Sequence, residues 1–587
     1  MLFLGRLNRR EELAESLDLP LAELARTPDC NLALAAFAKW GPDCRERLYG
    51  HYSLAACDHA ERRIVAMRSP ECSQHIYLYR DKRRVIVATS TKAIFAFPEI
   101  PRRIDELKIA DMLVLNHQDF SRSFFEGIAV VGQSQTLVAD AEGRIVTSTF
   151  DYLDRAKPVR FARDEDYVDR AIELVDRALD RVFRVPGLPA TGLSAGRDST
   201  ALAVIMIERM RREGIAQPGC LRSYTGIPME GWDGRVDAHR IGDESGPVRA
   251  LAAMYPELDT CFVTGEHVSH DRTIDLFQSY ADMPVRGVNN LDWGSEIRQR
   301  CRKDGHKVIV SGGAGNSTIS FAAAHPLFAQ WLRQGQWGKL LREARKYVAR
   351  HPGSSLASIL GQAGITNLPD CLYDRYFQWR GHDRTTGYEY FSAINPGFAR
   401  DVGVERRLAE IGWDDRYRRL PDRQASMRRM LDAGARNDGG GMMEANRVIN
   451  GVETVSALED RSLMEFCYAI PDDQFYRGGI DRRLVKRMMR GKLPPEVVHA
   501  PRGEQSADWH AKRTRNLARL SEEIERMADI PEIAGRIDIA RMRRVIREWP
   551  QHTVVSTDRH PDYAIARYGI SRALAVARFI NQVEGRN

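Results

Sequence analysis

The sequence predicts an α/β protein in two parts, a β-rich first part and a parallel sheet covered by helices. Three observations carry this. Between Tyr49 and Ser90, short β-branched and aromatic segments recur with charged or turn-forming pieces between them, as antiparallel strands do. From about Leu188 to Asn316, strand-like and helical segments alternate, which is the pattern of a helix-covered parallel sheet. At 587 residues with 43% hydrophobic content, the chain is long enough to fill the cores of more than one domain.

Taken in order, HYSLAACD, RRIVAMR, HIYLYRD and RRVIVATS are the first strands, and Pro98 and Pro101 end the run. IDELKIADMLVL has helical spacing, and GRIVTSTF is a further strand. Arg163 to Phe183 carries apolar residues at a period of 3.6, one amphipathic helix closed by Pro186 and Gly187. LPATGLS, CLRSYTG, TCFVTG and KVIVSGGAGN then read as strands, with helices over Ala201 to Ile207, PVRALAAMYP and IRQRCRKDG between them. Residues 320 to 440 are helical and rich in Arg and Trp, without a repeat or a readable motif, with loops around Pro352-Gly353 and Asn437 to Gly441; Gly439 to Gly441 reads as a surface loop, with a mobile hinge or lid as the alternative. GVETVSALEDRSLMEFCYAIP and DRRLVKRMMRGKLPPEVV are expected to be helical, PRGEQSADW a loop, and YAIARYGISRALAVARFI a closing amphipathic helix. The expected domains are residues 1–157 and 158–587.

The net charge of +7 is the balance of 87 basic and 80 acidic residues that alternate along helices. Such interspersed charge marks solvated faces, so no nucleic-acid partner is expected. Nine cysteines, odd in number and without a C-x-x-C pair, argue against a disulfide framework and a zinc site. No window approaches the ~18 apolar residues of a membrane helix, and the opening MLFLGRLNRREEL does not have the order of a signal peptide. A cytoplasmic protein without a membrane partner is the expectation.

The stretch with the sharpest chemistry is TGLSAGRDST. Strand, small-residue loop and helix follow one another, so backbone N–H groups at the start of the helix are available to a phosphate. Asp198 adds a hard oxygen ligand for Mg²⁺. An ordinary serine-capped turn before a buried helix is the competing reading of these residues. Ser194, Ser223 to Thr225 and Ser311 to Asn316 all fall at carboxyl ends of expected parallel strands, where ligands of such sheets bind.

The run from Phe37 to Arg68, with STKAIFAFPEI after it, resembles the glutaminase domain of class B asparagine synthetases. Those enzymes begin Met-Cys-Gly and use the cysteine thiolate as nucleophile. Here Met1-Leu2-Phe3 stands instead and Cys30 is the first cysteine, which implies a glutaminase-like fold without its nucleophile. Ser194 to Ser199 is similar to the S-G-G-x-D-S loop of ATP pyrophosphatases, with Ala195 in place of the first glycine. VIVSGGAGN looks like the S-G-E-G-x-D-E strand end of asparagine synthetases, Gly313 standing for a glutamate and Asn316 for a metal-binding aspartate. VETVSALEDRSLMEF and PRGEQSADW fall on two further motifs of that family, with Arg502 at or beside its catalytic lysine.

Together these features resemble the asparagine-synthetase-like macrocyclases of lasso-peptide biosynthesis. The fold so implied is α/β: a degenerate N-terminal-nucleophile, glutaminase-like β-rich domain, then an ATP-pyrophosphatase (PP-loop) synthetase domain with helical additions. The implied reaction uses ATP and Mg²⁺ to adenylate an Asp or Glu side chain of a leaderless precursor peptide, whose N-terminal amine then closes an isopeptide ring. A leader-binding module and a leader peptidase are the implied partners. The resemblance makes Arg502, Asp198 and Glu453 catalytic and gives Asp198 and Asn316 to the metal; Glu453 and Asp460 match family positions, with buttressing of the cleft through buried ion pairs as the alternative role. Leu193, Ser194, Ala195, Gly196, Arg197, Asp198 and Ser199, with Tyr224, Thr225, Ser311, Gly312 and Gly313, would bind ATP and pyrophosphate, and Asn316, Gln505 and Asp508 the substrate. Arginine at position 502 can stabilise charge but cannot act as a base. Asp243 and Glu244 read as a charge pair opening a helix, with a second metal role as the alternative. A small-molecule amide ligase of β-lactam-synthetase type and a non-catalytic peptide scaffold are the other readings.

Overall fold

In the computed structural model, which describes residues 1–585 apart from 73, 118, 120, 380–386, 415–418, 432–438, 559 and 561, the β-rich first part folds as two antiparallel sheets. One has the order β1 (Leu2–Asn8), β2 (Tyr49–Asp58), β3 (Arg63–Arg68), β7 (Gln135–Asp140), β8 (Ile145–Thr149), and the other is β5 (Val85–Ala88), β4 (Tyr77–Arg80), β6 (Ile128–Val130). Successive side chains of a strand face opposite ways. Tyr52, Leu54 and Ala56 of β2 therefore go to one face, where they pack on Leu32, Ala33 and Ala36 of the Asp29–Trp40 helix. On the other face Ala66, Leu137 and Ala139 meet Ile76 and Leu78 of the second sheet.

The second part is built on five parallel strands: β9 (Ala190–Gly192), β10 (Leu221–Gly226), β12 (Leu258–Val263), β13 (Val308–Ser311) and β14 (Glu453–Ser456). Their order is β12-β10-β9-β13-β14. The chain starts at the central β9, builds outward to β12, then returns to place β13 on β9's other side. The carboxyl ends of β9 and β13 thus flank the point where the winding reverses, which opens a crevice. A pair of two-residue strands, β11 (Arg240–Ile241) and β15 (Arg502–Gly503), forms a separate parallel ladder. Helices cover both faces: Ala201 to Ile207 of the Arg197–Arg212 helix are buried on one side, and Ile297 and Cys301 of the Leu291–Lys303 helix on the other.

Two expectations are corrected. Glu453–Ser456 is a strand, not helix, because its backbone pairs with β13 in register Val308↔Glu453 to Ser311↔Ser456; the helix of that block starts only at Arg461. Gly440 and Gly441 are not a surface loop. They begin the Gly440–Asn450 helix and are buried, and a side chain at Gly441 would start 2.7 Å from the Met283 sulfur. Asn437 and Asp438, the start of the expected loop, lie outside the described residues.

The two parts are joined through polar bonds as well as apolar packing. Arg181 and Glu71 form an ion pair at 2.8 Å with side chains 3% and 1% exposed. Arg6 of β1 pairs with Glu453 at 2.5 Å, and Asn8 donates to Asp460 at 2.7 Å. Arg407 approaches Asp111 of the Glu106–Leu113 helix at 3.4 Å. No helix among the described residues is long and apolar enough to cross a membrane, and all nine cysteines are free.

Candidate active site

The loop after β9 is closed by its own serines. The Ser194 and Ser199 hydroxyls are 2.7 Å apart, the Ser194 N–H donates to Ser199 Oγ at 3.1 Å, and the Gly196 N–H donates to Ser194 Oγ at 3.2 Å. Leu193 and Ala195 are buried beneath it. The helix that follows begins at Gly196 without a side-chain cap, so its first-turn amides are available to an anion. Asp198 lies in that turn. Burial raises its carboxyl pKa, against the Ser320 hydroxyl and the cations of Arg482 and Arg197, and its Oδ1 is buried with no hydrogen-bond partner. An acceptor so placed is fit to bind a cation.

The loop after β13 forms the facing wall. Gly315 lies flat on Asp198: a side chain there would start 2.2 Å from the carboxyl carbon. Ala314 holds a positive φ of 61°, rare for a residue with a Cβ, and turns the chain so that Gly315 meets Asp198. Gly313 is different. A Cβ there would meet only the Ser311 and Ser456 side chains, at 3.5 Å, and the Ser456 hydroxyl donates to the Gly313 carbonyl at 2.7 Å.

Cations surround these two loops with few acids to balance them. Arg482, at a φ of 54°, precedes the Arg483–Met488 helix and donates to Asn316 Oδ1 at 2.7 Å. Burial and the charges of Arg197, Arg482 and Arg350 lower the pKa of Lys486, one turn further on. Arg197 donates to the Val498 carbonyl at 3.2 Å; burial and Arg482 lower its pKa. Arg502 stands on β15 opposite Arg240. Partial burial lowers its pKa, with Arg240 and Arg482 adding to the effect and Glu504 opposing it. Arg240 is paired with Glu504 at 3.5 Å and Asp481 opposes the shift at Lys486, so the like charges are balanced only in part and an anion joining them is favoured. Sequence reasoning missed Arg482, Lys486 and Arg240. The only signal in the sequence is the clustering of basic residues in DRRLVKRMMR, which does not tell Arg482 and Lys486 from their neighbours.

Other expected residues stand elsewhere. Tyr224 is 1% exposed and donates to Asp304 at 2.7 Å, within the packing on the far face of the sheet. Thr225 lies at the carboxyl end of β10, its hydroxyl buried and without a partner. Glu453 starts β14, three residues or about 10 Å before the carboxyl end that Ser456 occupies, and is paired with Arg6. Asp460 caps the Arg461–Ala469 helix. Asp508 is 2% exposed and is taken up by the Met229 N–H at 2.8 Å and Lys512 at 2.9 Å. Gln505 is exposed and accepts from Asn290 at 3.3 Å. Ser311 and Gly312, by contrast, belong to the crevice: Ser311 ends β13, and a side chain at Gly312 would start 2.8 Å from the Ser199 nitrogen. Among the described residues no three His, Cys, Asp or Glu side chains gather as a metal site.

The comparisons place asparagine-synthetase-type, ATP-dependent amide formation on this 3-2-1-4-5 parallel sheet, whose switch point opens the cationic crevice. Residues 1–150 match the glutamine amidotransferase domain and residues 297–566 the asparagine synthase family. The chain is thus similar to asparagine synthases that carry a glutamine-amidotransferase-type N-terminal domain. It is 23% identical over 540 residues to asparagine synthetase (glutamine-hydrolyzing) 3 of Bacillus subtilis, covering 90% of this chain and 79% of that protein. It is 25% identical over 291 residues to amidase chry2 of Gibberella zeae, covering 48% of this chain and 41% of that protein.

Proposed function

We propose that the protein is a peptide macrocyclase: with Mg-ATP it adenylates an Asp or Glu side chain of a leaderless precursor peptide, and the peptide's own N-terminal amine closes an isopeptide ring. The observation that carries the reading is the pairing of a charged phosphate crevice with a first domain whose β1 has no thiol to release ammonia. Cys30, on the Asp29–Trp40 helix, lies 3.6 Å from the Asn31 amide oxygen, a group that cannot serve as its base. An amine supplied by the substrate removes the need for a glutaminase. Gly313 has no side chain to place beside the activated carboxyl, which leaves that position to the substrate.

In this reaction the carboxylate oxygen bonds to the α-phosphorus and pyrophosphate leaves. The amine then bonds to the acyl carbon, AMP leaves with the bonding pair, and one proton is released. The amides of Ala195 to Ser199 hold the polyphosphate, while Arg197, Arg482, Lys486 and Arg502 take up the charge that develops on it. Asp198 would hold Mg²⁺ through its orphaned Oδ1, and the ion would neutralise phosphate charge there. Asn316 Oδ1, which accepts from Arg482, would be the second protein oxygen offered to it. A leader-binding module and a leader peptidase complete the proposal as partners that deliver the free amine.

The test is mass spectrometry of a leaderless peptide incubated with the protein and Mg-ATP. The expected product is lighter by one water and resists carboxypeptidase, with one pyrophosphate released per ring. Asp198→Asn should lower that release by about 100-fold or more. A linear product would sink the macrocyclase while leaving the ligase class open to small-molecule amines.

A further inference from the structure

Glu244 carries a contact that the reading above does not use. It precedes the Ser245–Met254 helix, and its Oε1 accepts a hydrogen bond from the Ala195 N–H at 3.2 Å. That amide belongs to the phosphate loop. The same carboxylate lies against the strand that bears Arg502, since a side chain at Gly503 would start 2.5 Å from Glu244 Oε1. The β11–β15 ladder fixes this arrangement by holding Ile241 opposite Gly503, so Glu244 sits between two walls of the crevice. Burial raises its pKa, the Ala195 N–H opposes the rise and Asp243 adds to it. A carboxylate kept in such a place is held by the positive end of the loop.

We propose that Glu244 is the resident counter-anion of the phosphate loop, holding the Ala195 amide in the nucleotide-free protein and yielding it to the polyphosphate of ATP. The inference rests on the reading that this loop binds ATP. One N–H serves one strong acceptor, and a carboxylate and a phosphate at the same amide repel each other. Entry of ATP therefore moves Glu244 off Ala195, and its return after adenylation helps expel pyrophosphate. Glu244 is thus a positioning residue that tunes the affinity of the loop for phosphate.

The experiment is calorimetric titration of the full chain with ATP and with adenosine, without any carboxylate substrate. Glu244→Gln keeps an oxygen for the Ala195 N–H but removes the charge, and Glu244→Ala removes both. Each variant is expected to bind ATP about 10-fold more tightly and to be inhibited more strongly by added pyrophosphate, with adenosine binding unchanged. Unchanged or weaker ATP binding in variants that still bind adenosine overturns the assignment, the weaker result marking Glu244 as a supporting ligand. If the wild-type protein binds adenosine but gains nothing from the phosphates of ATP, the phosphate-loop reading itself fails, and this proposal with it.

Discussion

Three glycines around the crevice differ in what they exclude. At Gly315 a methyl group would drive the Asp198 carboxylate aside, because its starting atom lies 2.2 Å from the carboxyl carbon. At Gly313 the same methyl would rest in ordinary contact at 3.5 Å. Gly315→Ala should therefore weaken pyrophosphate release from ATP by about 100-fold, the size of a 1 Å misplacement in a reacting site, whereas Gly313→Ala stays within about 3-fold of wild type. Steady-state pyrophosphate release from the two purified variants checks this. Equal losses would mean that the closeness of Gly315 to Asp198 is incidental. The third, Gly503, is the neighbour of Glu244 and takes no part in this comparison.

Among the elements, the short Arg483–Met488 helix does more for the crevice than its length suggests, since Arg482 and Lys486 both come from its start. Replacing both by alanine should weaken ATP binding by about 30- to 100-fold and flatten its salt dependence, as expected when two cations that bind phosphate are lost. Titrations at two ionic strengths check it; a loss independent of salt would assign the helix a packing role. Much at this scale was legible in the sequence. The strands β2 to β5 announce themselves by β-branched residues and turn punctuation, and the phosphate loop is local, so its residues are adjacent in the chain. What was not legible is what distance in sequence hides. Arg482 meets Asn316 across 166 residues, and Glu244 meets Ala195 across 49. The strand β14 is four residues long and is followed at once by helical signals, so pattern alone assigned it to the helix.

At the scale of the whole molecule, the first domain is fastened to the ligase domain through buried charge. Asp111 shows the cost: burial raises its carboxyl pKa to about 6, although Asn116, Arg407 and Lys108 all act to lower it. The unfolded chain has its aspartates near 3.9. In that interval the folded protein holds the proton that the unfolded chain has lost, so this group favours folding at low pH and its contribution falls away as pH rises to about 6. The full span is about 3 kcal/mol. Urea unfolding at pH 4.5 and 6.5 should show Asp111→Asn with a smaller decline in stability over this interval than wild type; parallel declines would remove Asp111 as the cause.

The Glu71–Arg181 pair has a practical meaning for anyone who wishes to use the ligase half as a free-standing catalyst. Arg181 also donates to the Ser456 carbonyl at 3.1 Å, and Ser456 in turn holds Gly313. Cutting away the first domain would take the anion from this guanidinium and expose it to water, whereas Glu71→Ala in the full chain would leave it buried and unpaired, a loss that typically costs about 3–5 kcal/mol. The disturbance would reach the Gly313 wall of the crevice in two bonds. A minimal catalyst must therefore retain the first domain.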